Sequence, residues 1–190
     1  MAQKAGLTPN QISGLAIILG VASGIAYWLA GSDALSPEPN VAYLLLAVAL
    51  LLASGFCDAL DGTLARLYKQ TSVLGGFLDS LLDRYVDAAV FIGLILAGFC
   101  SPFWGLLALI GSLLTSYARA RSEAAGVPME TVGAVERAER LLIIAAASIL
   151  SLIWMEALSW SVILLALLTN FTVLQRAVYF SRKAGSRPQE

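Results

Sequence analysis

Asp58 and Asp61 lie three residues apart, and Asp79, Asp83 and Asp87 follow at intervals of four, in a stretch otherwise rich in apolar residues and glycine. Spacings of three and four put each group on one face of a helix. Carboxylates at this density repel one another, and one aspartate at membrane mid-depth costs about 2.5–3.5 kcal/mol. Something must offset that charge. The chain contains no histidine, so the donor set is hard oxygen, which suits magnesium, calcium or manganese. Asp58, Asp61, Asp79 and Asp83, converging from two helices, can hold two such ions, the clamp that serves displacement at phosphorus. The plainer alternative is bundle glue, with Asp83 or Asp87 paired to Arg84 or another arginine. Four acids on two adjacent helices, at one end of both, are more than glue requires. Gly62 directly after Asp61, and Gly75-Gly76 at the start of the next helix, leave space for a bulky phosphate-bearing substrate.

These residues sit in a chain of 190 residues that is 58% hydrophobic and 13% charged, with mean hydropathy +0.79. Soluble domains carry about 25% charged residues, and a chain this short cannot bury such an apolar excess against itself. The composition excludes a soluble globule, a disordered chain and a disulfide-stapled secreted domain, leaving an integral membrane protein. A net charge of −1 gives no footprint for nucleic acid. Cys57 and Cys100 stand in apolar surroundings as packing residues. No removable signal peptide is evident.

Apolar runs over 12–30, 41–57, 74–99, 103–118, 141–155 and 160–179 predict an all-α protein with six transmembrane helices. The linkers around 31–40, 100–102 and 156–159 hold no Lys or Arg, whereas Lys4, Arg66, Lys69, Arg119, Arg121, Arg137, Arg140, Arg182, Lys183 and Arg187 fall at the other side. The positive-inside rule then places both termini, and the acidic cavity, at the cytoplasmic face of the cell membrane. The chain reads as a single domain over 1–190, with an interfacial segment at 1–11 and a polar tail at 181–190. Thr8 and Pro9 are expected as cap and first residue of helix one. Helix four is expected to run past Arg121, and helix five to start near Glu136 after a loop broken by Gly126, Pro128 and Gly133. Gly20 and Gly24 form a G-x-x-x-G packing pair.

Read as one pattern, Asp58-x2-Asp61-Gly62-x2-Ala65-Arg66-x8-Gly75-x3-Asp79-x3-Asp83 resembles the signature of the CDP-alcohol phosphotransferases, across 26 positions with fixed gaps. The resemblance implies transfer of a substituted phosphate from a CDP-linked alcohol to a hydroxyl acceptor, with release of CMP. It implies that Asp58, Asp61 and Asp79 are metal ligands for two magnesium or manganese ions. Asp83 matches the acid that touches the second metal and acts as general base. Gly62, Arg66 and Ser72 match contacts to the CDP moiety, Ala65 and Gly75 make space for it, and Asn10 and Ser13 match a further nucleotide-contacting stretch. The family is typically dimeric. Asp87 lies beyond the pattern and receives no role from it.

The acceptor must be read from other residues. Arg119, Arg121, Arg137, Arg140 and Arg176 exceed what topology alone requires, and an arginine cluster is the expected receptor for a phosphate. Arg176 lies in the apolar run 171–180, so it either snorkels outward or faces a cavity. The competing explanation is a basic belt touching anionic headgroups. The runs 116–124 and 136–141 look like the inositol-phosphate-using branch of the family, the phosphatidylinositol-phosphate and archaetidylinositol-phosphate synthases. That likeness implies that Arg119, Arg140 and Arg176, with Arg137 beside them, hold the acceptor's phosphate. Two alternatives stay open here: glycerol 3-phosphate as acceptor, and a cation or proton transporter using the aspartates as a relay. Transporters place ion sites near the midplane of repeated, broken helices, and no repeat is visible.

Overall fold

The computed structural model describes residues 9–31, 39–67, 73–129 and 132–185, with side chains described except at 9–10 and 64–67. Among the described residues the chain forms six α-helices and no strand: α1 Pro9–Gly31, α2 Val41–Leu67, α3 Val73–Leu96, α4 Pro102–Ala124, α5 Arg137–Leu150 and α6 Ala157–Gly185. Each helix packs on two others. The principal contacts run from α1 to α2, α5, α6, α4, α3 and back to α1, a closed ring. Tyr27, Leu44, Leu51, Phe91, Leu94, Leu158 and Leu165 fill its interior.

Among the described residues, four helices are long and apolar enough to cross a membrane: Gln11–Gly31, Val41–Thr63, Pro102–Ala124 and Ala157–Gly185. The sequence predicts six spans. The α3 helix misses the criterion because Asp79, Asp83, Arg84 and Asp87 interrupt it, and α5 because it has only 14 residues. The outward faces carry Ile18, Phe56, Phe103 and Leu174, all more than 60% exposed, while serines and threonines lie inside. Ser23 Oγ donates to the Ala47 carbonyl at 2.8 Å, and Tyr27 Oη meets Ser148 Oγ at 2.8 Å. Apolar side chains outside and satisfied hydroxyls inside are the arrangement a lipid solvent selects, and the protein is a multi-pass membrane protein.

The G-x-x-x-G pair lies within this ring. A Cβ at Gly20 would meet Val86, one at Gly24 would meet the Ala89 carbonyl, and Gly93 faces the Gly24 carbonyl in turn. The missing side chains let α1 and α3 touch backbone to backbone. This surface is therefore used inside the chain and cannot serve a dimer. Gly24→Ala should lower the melting temperature in detergent, because the Ala89 backbone cannot step aside; overpacking of this kind costs about 1–3 kcal/mol. Gly76→Ala, with nothing within 4 Å of the new carbon, should leave it unchanged or raised. Equal melting temperatures for the two variants would refute the close contact.

The α4–α5 connection follows the expected breakers. Gly126 and Gly133 adopt φ of +75° and +147°, angles that favour glycine. Val127, Met129 and Val135 are buried, so the loop folds down onto the bundle. Thr172 Oγ1 accepts from the backbone N–H of Ala134 and Val135 at 3.2 and 3.4 Å. A capping box follows, with the Glu139 side chain accepting from Glu136 N–H at 2.9 Å, and it starts α5 within a residue of the expected place. Pro9 opens α1 as expected; its expected cap, Thr8, lies outside the described residues. Both cysteines are free, and burial pushes the Cys100 thiol up to about 11, keeping it a protonated packing group.

Candidate active site

The last turns of α2 and the first turns of α3 carry the acids. Asp58, Asp61 and Asp79 each offer a carboxylate oxygen, and the three lie within 4.8 Å of one another. Asp61 is 6% exposed, and Ser13 Oγ on α1 donates a hydrogen bond to its Oδ2. Three helices thus meet at this point. Three hard oxygen donors at this separation fit one small divalent cation. The next turn of α3 presents Asp83, which turns to α5 instead. Arg137 Nη1 lies 2.8 Å from Asp83 Oδ1 and donates to Asp58 Oδ2 at 2.7 Å. Arg84 Nη1 is 3.7 Å from Asp83 Oδ2 and donates to the Ser80 carbonyl. The structure therefore brings together three of the four expected ligands, while the charge offsetting Asp83 comes from Arg137.

Beyond Asp83 lies a cavity of about 350 Å³ between α3, α4, α5 and α6. Arg119, Arg137, Arg140 and Arg176 all line it, together with Asp83, Arg84 and Asp87. The four arginines expected to act together do share one space. Arg119 is the exposed member, paired with Glu123 at 2.9 Å one turn along α4. Arg176 does not snorkel: it is 3% exposed and donates from Nε to the Val132 carbonyl at 2.7 Å and from Nη1 to the Thr115 carbonyl at 2.6 Å. It thereby also ties the α4–α5 loop to α4. Arg140 is equally buried, with Nη2 at 2.6 Å from Asp87 Oδ2.

A second, largely apolar cavity of about 250 Å³ runs between α2 and α5, lined by Leu51, Leu52, Phe56, Leu141 and Leu142, and reaches Asp58 and Arg137 at one end. Arg137 lines both cavities and so forms the wall between them.

Several expected contacts meet the structure differently. Ser13, implied as a nucleotide contact, holds Asp61. Gly62 and Gly75 stand beside the acids at the facing ends of α2 and α3. The side chains of Asn10, Ala65 and Arg66, and all of Ser72, lie outside the described residues. Two features escape the sequence reading. Asp87 anchors Arg140, for which the signal was its place four residues after Asp83 with Arg137 and Arg140 themselves three apart. Glu123 and Glu136 line the arginine cavity, which nothing in their spacing announced.

With this geometry in view, the chain was compared with known proteins. The profile of the CDP-alcohol phosphatidyltransferase family matches residues 6–174. The chain is 46% identical over 137 residues, 72% of this chain and 70% of the relative, to an archaetidylinositol phosphate synthase of Methanothermobacter thermautotrophicus. It is 36% identical over 178 residues, 94% of this chain and 85% of the relative, to an archaetidylinositol phosphate synthase of Pyrococcus horikoshii. Its structure is similar to that of the Mycobacterium tuberculosis phosphatidylinositol phosphate synthase PgsA1 with CDP-DAG bound, with a TM-score of 0.81 and 27% identity over 99% of this chain and 94% of that one. The same synthase in complex with manganese and citrate gives a TM-score of 0.81, covering 99% of this chain and 90% of that one.

Proposed function

The chain belongs to the CDP-alcohol phosphatidyltransferase family, and from that premise we propose that it transfers the lipid-linked phosphate of a CDP-lipid to a hydroxyl of inositol 1-phosphate, releasing CMP. The observation that carries this reading is the cavity of about 350 Å³ that Arg119, Arg137, Arg140 and Arg176, from three helices, line together with Asp83. A phosphorylated polyol fits such a space: its phosphate takes charge-assisted hydrogen bonds from the arginines, and a hydroxyl reaches the carboxylate. The names of the relatives supply the inositol. Glycerol 3-phosphate remains the alternative acceptor that the test must separate.

The chemistry follows from the residues. The acceptor's O–H attacks the phosphorus that carries the lipid alcohol. A new P–O ester bond forms, the anhydride bond to the nucleotide's phosphate breaks, and CMP leaves with the electron pair. Asp83 takes the proton from the acceptor oxygen. Arg137, seated between Asp58 and Asp83, faces the place where the two substrates meet. Asp58, Asp61 and Asp79 would hold a divalent cation, magnesium or manganese, and Asp83 a second beside them; when bound, such ions neutralise the pyrophosphate among the carboxylates and polarise it for displacement. The donor's tail fits the apolar cavity between α2 and α5, which opens next to Asp58. Asn10, Gly62, Ala65, Arg66, Ser72 and Gly75 complete the CDP subsite in this reading.

Two finer features belong to the proposal. The α3 and α5 helices complete six membrane crossings, with both termini and the polar cavity at the cytoplasmic face. The enzyme works as a homodimer through its outward apolar faces, since Gly20 and Gly24 are occupied within the chain.

The test incubates purified enzyme with a CDP-lipid and, separately, inositol 1-phosphate, free inositol and glycerol 3-phosphate, following CMP. Inositol 1-phosphate should be used well and free inositol poorly. Equal use of free inositol, or preference for glycerol phosphate, would overturn the assignment. Arg119→Gln should raise the KM for inositol 1-phosphate about tenfold, the lower end for a charged hydrogen bond because Arg119 is solvent-screened. The KM for CDP-lipid should stay within about twofold.

A further inference from the structure

Arg137 and Arg140 lie one turn apart on α5, and both point inward toward α3. Both line the arginine cavity, but their closest partners differ. Arg137 is held by Asp58 and Asp83. Arg140, 3% exposed, has Asp87 as its one ion-pair partner among the described residues, at 2.6 Å through Nη2, and Asp87 itself is 4% exposed. Arg140 Nε is buried and has no hydrogen-bond partner among the described residues, although the residue lines the arginine cavity. One end of this guanidinium is therefore fixed while an N–H beside it stays unused. A planar five-donor fork fixed at one point presents its remaining donors in a set direction, and a buried donor without a partner is costly to retain.

We propose that Asp87 is a positioning residue for the acceptor: it fixes Arg140 so that the unused donors of that guanidinium are preorganised for the acceptor's phosphate. The proposal rests on the reading of this cavity as the acceptor site. Asp87 also supplies the charge that allows Arg140 to stay buried before the phosphate arrives. Asp83, one turn earlier on the same helix, pairs with Arg137 at 2.8 Å; Asp87 also lies 3.7 Å from Arg137 Nε, but its short contact, at 2.6 Å, is with Arg140. Asp87 touches no reacting atom; it acts through Arg140.

The test uses the full-length enzyme in detergent, varying inositol 1-phosphate and CDP-lipid independently. Asp87→Asn should raise the KM for inositol 1-phosphate tenfold or more, with the KM for CDP-lipid within twofold and kcat within about threefold. An unchanged KM for inositol 1-phosphate, or an equal rise for both substrates, would overturn the proposal. Asp87→Asn leaves Arg140 buried without its counter-charge and can fail to fold, so Asp87→Asn/Arg140→Gln is compared with Arg140→Gln alone. The double variant removes both charges together. If Asp87 acts through Arg140, the two should have the same KM for inositol 1-phosphate within twofold, as a coupled pair requires. A further tenfold rise in the double variant would overturn it. An Arg140→Gln enzyme with wild-type KM for inositol 1-phosphate would instead refute the acceptor cavity itself.

Discussion

Asp83→Asn should lower kcat by about two to four orders of magnitude, the usual contribution of a positioned general base, while CDP-lipid binding should stay within about twofold of wild type. The substitution keeps shape and hydrogen-bonding capacity but cannot accept the acceptor's proton. Binding is expected to survive because the cluster Asp58, Asp61 and Asp79 would still hold its cation, while Asp83, which would hold the second, lies apart against Arg137 and the acceptor cavity. Asp58→Asn provides the contrast. It removes a member of the cluster and should lose metal and CDP-lipid binding together. Turnover and equilibrium binding of CDP-lipid, measured on both variants, decide the matter. Equal loss of donor binding in both would remove Asp83 from the role of base.

Excess chelator should abolish CMP release, and added magnesium or manganese should restore it. Two carboxylate oxygens within 4.8 Å of each other repel by about 3 kcal/mol or more at an effective dielectric constant near 20, and this site places three of them together before a pyrophosphate adds more negative charge. Arg137 reaches Asp58, but one guanidinium cannot offset three carboxylates and a diphosphate. The donor is therefore expected to bind poorly without a divalent cation, and both binding and turnover should fall. Turnover undiminished in excess chelator would end the metal-assisted reading.

What the sequence revealed was local. Intervals of three and four between aspartates fixed which side chains share a face, and that depends only on helix geometry. Gly126, Pro128 and Gly133 located the break before α5 because backbone angles follow from single residues. The inward turn of Arg176 was one of two alternatives the apolar surroundings allowed, and the partner carbonyls of Thr115 and Val132 decide it. What stayed hidden was non-local. The pairing of Asp87 with Arg140 depends on the register of α5 against α3, and the link from Ser13 to Asp61 on the way α1 crosses α2. Gly20 and Gly24 advertise a close helix contact but not with which helix. The apolar runs read as six spans, the third already marked by its charges, although charge in α3 and shortness in α5 set those two apart.

That shortness governs where two phases meet. Fourteen residues of α5 rise about 21 Å at 1.5 Å per residue, against a hydrocarbon layer about 30 Å thick. A helix ending at one surface of that layer begins about 9 Å beneath the other, and its first residues are the arginines. On the proposed six-crossing topology, the missing turns would leave a notch in one leaflet, covered by the α4–α5 connection rather than by lipid. A polyol phosphate would then descend through the notch to the level of the upper acyl carbons without being dehydrated by oil. The lipid donor would meet it there without rising out of its leaflet, so neither substrate would have to enter the solvent of the other.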